Sequence, residues 1–275
     1  MTLRSVLSWM ALGLVGLVGC QQAQAQSEPD WETCKVVADP TERLACYDRL
    51  ASGAIEFCGQ SLDLKTTEVR CNSPKDIIVT DLSPLAGLTE LNSVQLARAQ
   101  VTDLSPLAGL TGLTYLNLAA TKVTDLSPLS GLTGLTYLAL NKTPVTDISP
   151  LSGLTGLTQL DLQGTPVTDL SPLSGLTELT TLTLNSTPVT DLSPLSGLTG
   201  LTGLWLNRTP VTDLSPLSGL TGLTLLSLVG AQVTDVSPLS GLTGLTSLTL
   251  GGTPADPADV DALRQALPNC TISHF

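Results

Sequence analysis

The sequence predicts an α/β solenoid: a horseshoe or arc with a parallel β-sheet on its concave side and short 3₁₀ or α segments on its convex side, preceded by a small helical unit. Three observations predict it. Val-Thr-Asp recurs at Val79, Val101, Val123, Val145, Val167, Val189, Val211 and Val233, a 22-residue period kept without an insertion. Inside each period apolar and polar residues alternate at strand spacing, as Leu138 and Leu140 do against Tyr137, Ala139 and Asn141. A Ser-Pro pair follows, for example Ser149-Pro150, where a short helical turn can begin. A fixed period of this length marks a stack in which each unit buries its apolar face against the next.

One unit, Val123 to Pro144, contributes seven inward positions: Val123, Leu126, Leu129, Leu132, Leu135, Leu138 and Leu140. No single unit can bury these alone, so stacking must supply the core. Rotated, the unit reads Leu135-x-x-Leu138-x-Leu140-x-x-Thr143-x-Val145. This resembles the leucine-rich-repeat signature. The 22-residue length and the segment VTDLSPL are similar to the internalin type of bacterial surface proteins, a resemblance covering about two thirds of the chain. Thr143 stands where that family usually has Asn, and its hydroxyl is expected to bond a nearby backbone group. Ser149 is expected as the N-cap of the helical turn and Gly153 as the residue that ends it.

The repeats span 79–254, with a cap on each side. Before them, 57–78 is read as an N-terminal cap, with a strand at Ser61-Leu62-Asp63-Leu64, then Thr67 and Val69 at repeat-like spacing, and Cys58 and Cys71 as brackets. After them, 255–275 is read as a helical cap: an amphipathic helix from Pro257 to Leu267, stopped by Pro268, and a last strand at Cys270-Thr271-Ile272. Cys270 is read as a buried cap thiol. Residues 30–56 are read as a small helical hairpin, with Asp39 expected to cap its second helix, and 20–29 as a polar tether. The segment CKVVADPTERLACYDRLA resembles a short Cys-containing stretch of Gram-negative periplasmic proteins, which supports an envelope location and carries no function over.

Residues 1–19 read as a signal peptide of lipoprotein type. Arg4 precedes the apolar run Leu7–Val18, which is shorter than the roughly 20 residues a membrane-spanning helix needs. The run ends in Leu17-Val18-Gly19-Cys20, which resembles the lipobox of bacterial lipoproteins. That resemblance implies acylation of Cys20. With Gln21 next, it also implies sorting to the outer membrane, facing the periplasm or the surface. Cleavage after Ala23-Gln24-Ala25 is the alternative, and it would give a soluble secreted or periplasmic protein. Export permits disulfides. Of the three pairings open to Cys34, Cys46, Cys58 and Cys71, sequence proximity favours Cys34–Cys46 and Cys58–Cys71.

The chain has 275 residues and a net charge of −12, which argues against nucleic acid. No GxSxG, P-loop, GxGxxG or HExxH is present, and His274 is the sole histidine, so no enzyme activity and no cofactor is expected. Asp81, Asp103, Asp125, Asp147, Asp169, Asp191, Asp213 and Asp235 should form a column of carboxylates. Ca²⁺ favours such oxygens, but an Asp just before a helical turn accepts backbone hydrogen bonds, so no metal is expected.

The repeats differ mainly at the outward positions of the strand, and a binding surface would be written there. Tyr115 and Tyr137 occupy the same place in adjacent repeats and should stack. Asn117, Asn141 and Asp161 lie beside them. Trp205, Asn207 and Arg208 lie several repeats on. Tyr, Trp and Arg are enriched where binding energy concentrates. The sequence therefore points to a monomeric cell-envelope protein, tethered to a membrane by its lipid, that binds an unidentified protein or a glycan on its concave face. The alternative is a structural spacer without a discrete ligand site, to which the near-identity of the repeats points.

Overall fold

The computed structural model describes residues 55–57, 60–62, 65–71 and 79–274. The signal peptide, the tether, the helical hairpin and Cys20, Cys34, Cys46 and Cys58 lie outside the described residues. The chain divides into two compact units, Met1–Thr66 and Thr67–Phe275. In the first, strands β1 (Ile55–Phe57) and β2 (Gln60–Leu62) pair antiparallel, with Phe57 and Leu62 buried.

The second unit is a ten-stranded sheet in sequence order. Its strands are β3 (Glu68–Arg70), β4 (Ser93–Gln95), β5 (Tyr115–Asn117), β6 (Tyr137–Ala139), β7 (Gln159–Asp161), β8 (Thr181–Thr183), β9 (Gly203–Trp205), β10 (Leu225–Ser227), β11 (Ser247–Thr249) and β12 (Thr271–Ser273). All neighbours are parallel. From β4 to β11 the register advances by one 22-residue period per strand, so Leu116, Leu138 and Leu160 are cross-strand partners. Eight 3₁₀ turns, from Ser83–Leu85 to Ser237–Leu239, alternate with the strands.

The seven inward positions of the unit starting at Val123 are all at most 1% exposed. Thr143 joins them at 3%, its hydroxyl donating to the Leu140 carbonyl at 2.6 Å. A second threonine ladder ties repeat to repeat: the hydroxyl and backbone N–H of Thr136 both donate to the Thr114 carbonyl, and Thr158 does the same to Thr136. Each such bond contributes about 1 kcal/mol net, small singly and repeated along the stack. Close approach of the repeats also needs glycine. A Cβ on Gly222 would lie 2.9 Å from the Thr199 carbonyl oxygen, and one on Gly244 2.8 Å from that of Thr221.

Three local expectations are corrected. The sheet begins at β3, not at Ser61–Leu64, because the pairing of Val69 with Val94 spans 25 residues and the 22-residue period does not reach back to the cap. Ser149 is the first residue of its 3₁₀ turn and not its cap. Asp147 takes the capping role, accepting the Ser149 N–H at 2.8 Å. Gly153 has no positive φ. The left-handed position of each repeat falls after the strand, at Arg98, Ala120, Lys142, Gly164, Ser186, Arg208, Gly230 and Gly252.

Helix α1 (Pro257–Ala266) closes the array. Asp256 caps it by accepting the Ala258 N–H, Val260 and Leu263 are buried, and the helix packs on the last 3₁₀ turn. β12 then adds to the sheet as the sequence implied. Cys71 is disulfide-bonded. Cys270 is free and half-buried, less covered than its sequence context suggested, and burial pushes its thiol pKa up.

Candidate functional site

The sheet has one face packed on the core and one open. On each strand the middle residue points inward and the two flanking residues outward, because side chains alternate with period 2. Two rows of outward residues result. One runs Glu68, Ser93, Tyr115, Tyr137, Gln159, Thr181, Gly203, Leu225, and the other runs Asn117, Ala139, Asp161, Thr183, Trp205, Ser227, as the cross-strand register fixes.

Tyr115 and Tyr137 stack as their positions imply, with ring centroids 4.3 Å apart and planes 4° from parallel. Partial burial, the Tyr115 hydroxyl and the charge of Asp161 together push the Tyr137 pKa up to about 12. Asp161 is half-buried. Its Oδ1 accepts the Gln163 N–H at 2.9 Å, yet desolvation still raises its pKa. Asn117 stands in the same row but is turned to its own backbone, accepting the Ala119 N–H at 3.0 Å. Asn141 is half-buried just past β6.

Trp205 belongs to a second cluster, two strands from Asp161 and so roughly 10 Å away. Its indole folds back along its own strand over Gly203. A Cβ on Gly203 would lie 2.7 Å from two of the ring carbons, so the ring's position depends on the glycine. Leu225, the cross-strand partner of Gly203, and Val229 are 42% and 40% exposed, the exposed large aliphatic residues among those described. Leu225, Val229 and the role of Gly203 escape sequence reasoning. The repeat pattern marks them as outward but says nothing of how a ring lies.

Asn207 works structurally. Its Oδ1 accepts the Val229 N–H at 2.8 Å and the Ser227 hydroxyl at 2.6 Å, while its own N–H donates to Asn185. Arg208 is exposed in the left-handed turn (φ 57°), with its stem over Gly230. The structure thus gathers Tyr115, Tyr137 and Asp161 into one group and Trp205 and Leu225 into another, and it assigns Asn117 and Asn207 to holding backbone.

The column of turn aspartates is a set of caps. In all eight turns the Asp Oδ1 accepts a Ser N–H at 2.8 Å. Hydrogen bonds from Ser127, Ser149, Ser193, Ser215 and Ser237 lower the pKa values of Asp125, Asp147, Asp191, Asp213 and Asp235. Among the described residues no group of three His, Cys, Asp or Glu side chains is placed to hold a metal ion, and no helix is long and apolar enough to cross a membrane.

The family of leucine-rich repeats, in its two-copy form, matches residues 111–153, 133–175, 155–197 and 177–219. A solved internalin C2 (InlC2) of Listeria monocytogenes is 33% identical, with a TM-score of 0.65 over 75% of this chain and 91% of that one. This chain belongs to the internalin-like leucine-rich-repeat family. A second internalin of the same organism, InlF, is 32% identical with a TM-score of 0.72 over 82% of this chain, which spans 66% of that protein's length. A leucine-rich-repeat protein of Leptospira interrogans, 21% identical with a TM-score of 0.61 over 71% of this chain and 57% of that one, shares the fold. No curated protein sequence matches the chain. Internalin-like leucine-rich-repeat folds are generally non-enzymatic and typical of proteins that bind other proteins.

Proposed function

We propose that this protein is a bacterial cell-envelope binding protein that holds a protein partner on the open face of its sheet. The observation that carries the reading is the placement of its aromatic residues. The stacked Tyr115–Tyr137 pair and the Trp205 ring beside Leu225 all lie on that face, in a chain only 3% aromatic. Rigid aromatic groups on an otherwise small-residue surface are the residue types that concentrate binding energy. The protein acts as a monomer without a cofactor. Its lipobox-like Leu17-Val18-Gly19-Cys20 supports a lipid anchor on Cys20 and a location at the outer membrane. Cleavage after Ala25 would instead release it in soluble form, and the mass of the mature N-terminus distinguishes the two.

The test is capture by the immobilised mature chain, compared with the variant Tyr115→Ala, Tyr137→Ala, Trp205→Ala. With the fold verified by circular dichroism, the triple variant should lose more than ~10-fold in affinity for the captured protein. Unchanged affinity would remove the open face as the site.

A spacer role is favoured by one observation: β8, β11 and β12 offer only Thr and Ser outward. Deleting two whole repeats discriminates. A spacer tolerates the deletion while it stays folded and correctly located, and a binding face does not.

A further inference from the structure

Resting on that reading of the open face, we propose that Tyr115, Tyr137 and Asp161 together receive one cationic side chain of the partner protein, an arginine in preference to a lysine.

Asp161 is half-buried on a surface that otherwise carries neutral residues around it: its cross-strand partners are Ala139 and Thr183, and Gln159 shares its strand. Among the described residues only one of its oxygens is used: Oδ1 accepts the Gln163 N–H at 2.9 Å, and Oδ2 has no hydrogen-bond partner there. Among the described residues no Lys or Arg stands within ion-pair distance of it; the ion pairs there join Arg70 to Glu68 and Arg264 to Asp261. The nearby Lys142 sits in the turn after β6, its stem lying over Gly164 at the margin of the sheet. Among the described residues Asp161 is therefore a partly desolvated carboxylate on the open face without a counter-charge, in a protein whose net charge is −12.

Any partner that covers this face must deal with that charge. An apolar or acidic surface would seal an unpaired carboxylate away from water, which is strongly unfavourable. A cation removes the penalty. The tyrosines decide which cation. Their rings are parallel and stacked, and Asp161 stands on the strand next to Tyr137, with Ala139 as its cross-strand partner, so the three groups neighbour one another on the open face. A guanidinium can donate two hydrogen bonds in its plane, one to Oδ2 and one to a tyrosine hydroxyl, while its flat face and stem rest on aromatic carbon. An ammonium satisfies the charge but not the planar contact. A divalent cation would need further oxygen ligands, and no three-carboxylate group is placed to supply them among the described residues.

The probe is the blocked tripeptide acetyl-Gly-Arg-Gly-amide, titrated into the mature chain with ring-labelled tyrosine and read by NMR. The chain has three tyrosines, and single Tyr→Phe replacements assign the Tyr115 and Tyr137 signals. The arginine probe should shift both of these signals saturably. The lysine analogue should bind more weakly, and the leucine and glutamate analogues should have no effect. Asp161→Asn keeps an acceptor for the Gln163 N–H and so keeps the fold. It should bind the arginine probe roughly tenfold more weakly, the loss of one charge-assisted hydrogen bond. Equal binding by Asp161→Asn, equal shifts from the glutamate analogue, or no saturable shift at Tyr115 and Tyr137 would overturn the proposal. If it is overturned while the triple alanine variant still loses its captured partner, the open face stands as the site and only its preference for a cation falls.

Discussion

Asp147 and Asp161 are the same residue in opposite circumstances. Asp147 is exposed in a 3₁₀ turn and accepts the Ser149 N–H at 2.8 Å, and hydrogen bonding holds its pKa down. Asp161 is half-buried on the open sheet face, accepts one backbone N–H, and burial pushes its pKa up. The contrast extends to the two sides of the solenoid. On the turn side each aspartate is bonded to a serine of its own repeat, and the same arrangement is copied eight times. On the open face the residues change from strand to strand and leave groups over: a carboxylate oxygen, an aromatic stack, an indole. Repetition builds the scaffold, and departures from it write the surface.

The largest effect that would sharpen this contrast is on stability. Leu138→Ala removes a fully buried side chain from the core and should cost about 2–5 kcal/mol in denaturant unfolding. Its neighbour Tyr137→Ala, one residue away on the other face, should cost about 1 kcal/mol, the worth of its stacking on Tyr115. Comparable losses would mean that the tyrosine pair belongs to the scaffold. Next comes Gly203→Leu. A Cβ there collides with the indole at 2.7 Å, so Trp205 must swing into water. In a Trp9→Phe, Trp31→Phe background, where Trp205 is the one tryptophan left, the emission maximum should move to longer wavelength with little change in Tm, and partner affinity should fall as it does for Trp205→Ala. An unmoved emission maximum would show that the ring has another resting place.

The scaffold was legible in the sequence because its cause is local and repeated. The period fixes the register, the alternation of Leu138 and Leu140 with Tyr137 and Ala139 fixes the face, and stacking of Tyr115 on Tyr137 follows from both. Where the period breaks, legibility ends. The pairing of β3 with β4 spans 25 residues, so extrapolation placed the first strand too early. The candidate site was legible only as a set of outward positions. Side-chain conformation decides the rest: Asn117 and Asn207 turn to backbone donors, and Trp205 lies over Gly203. Ser before Pro is a common helix start and points to Ser149 as the cap, whereas the Asp147 carboxylate accepts the Ser149 N–H.

The smallest effects carry the sharpest test, because the two classes of aspartate should respond to acid with opposite sign. For Asp125, Asp147, Asp191, Asp213 and Asp235 the folded pKa lies below the unfolded value of 3.8. Their stabilisation is therefore complete above that value and is lost as pH falls through the folded pKa values. For Asp161 the folded pKa lies above 3.8. Its charge costs stability at neutral pH, and the cost is relieved as pH falls through the raised pKa. Thermal unfolding followed from pH 7 downward should show a slight rise in Tm before the fall that begins below about pH 4. Asp161→Asn should raise Tm at neutral pH and abolish the rise on acidification. Asp147→Asn should lower Tm slightly and leave the rise in place, since an amide oxygen replaces a charged acceptor for the Ser149 N–H. If Asp161→Asn instead lowers Tm at neutral pH, its carboxylate is already compensated within the chain, and the open face holds no unanswered charge for a partner to meet.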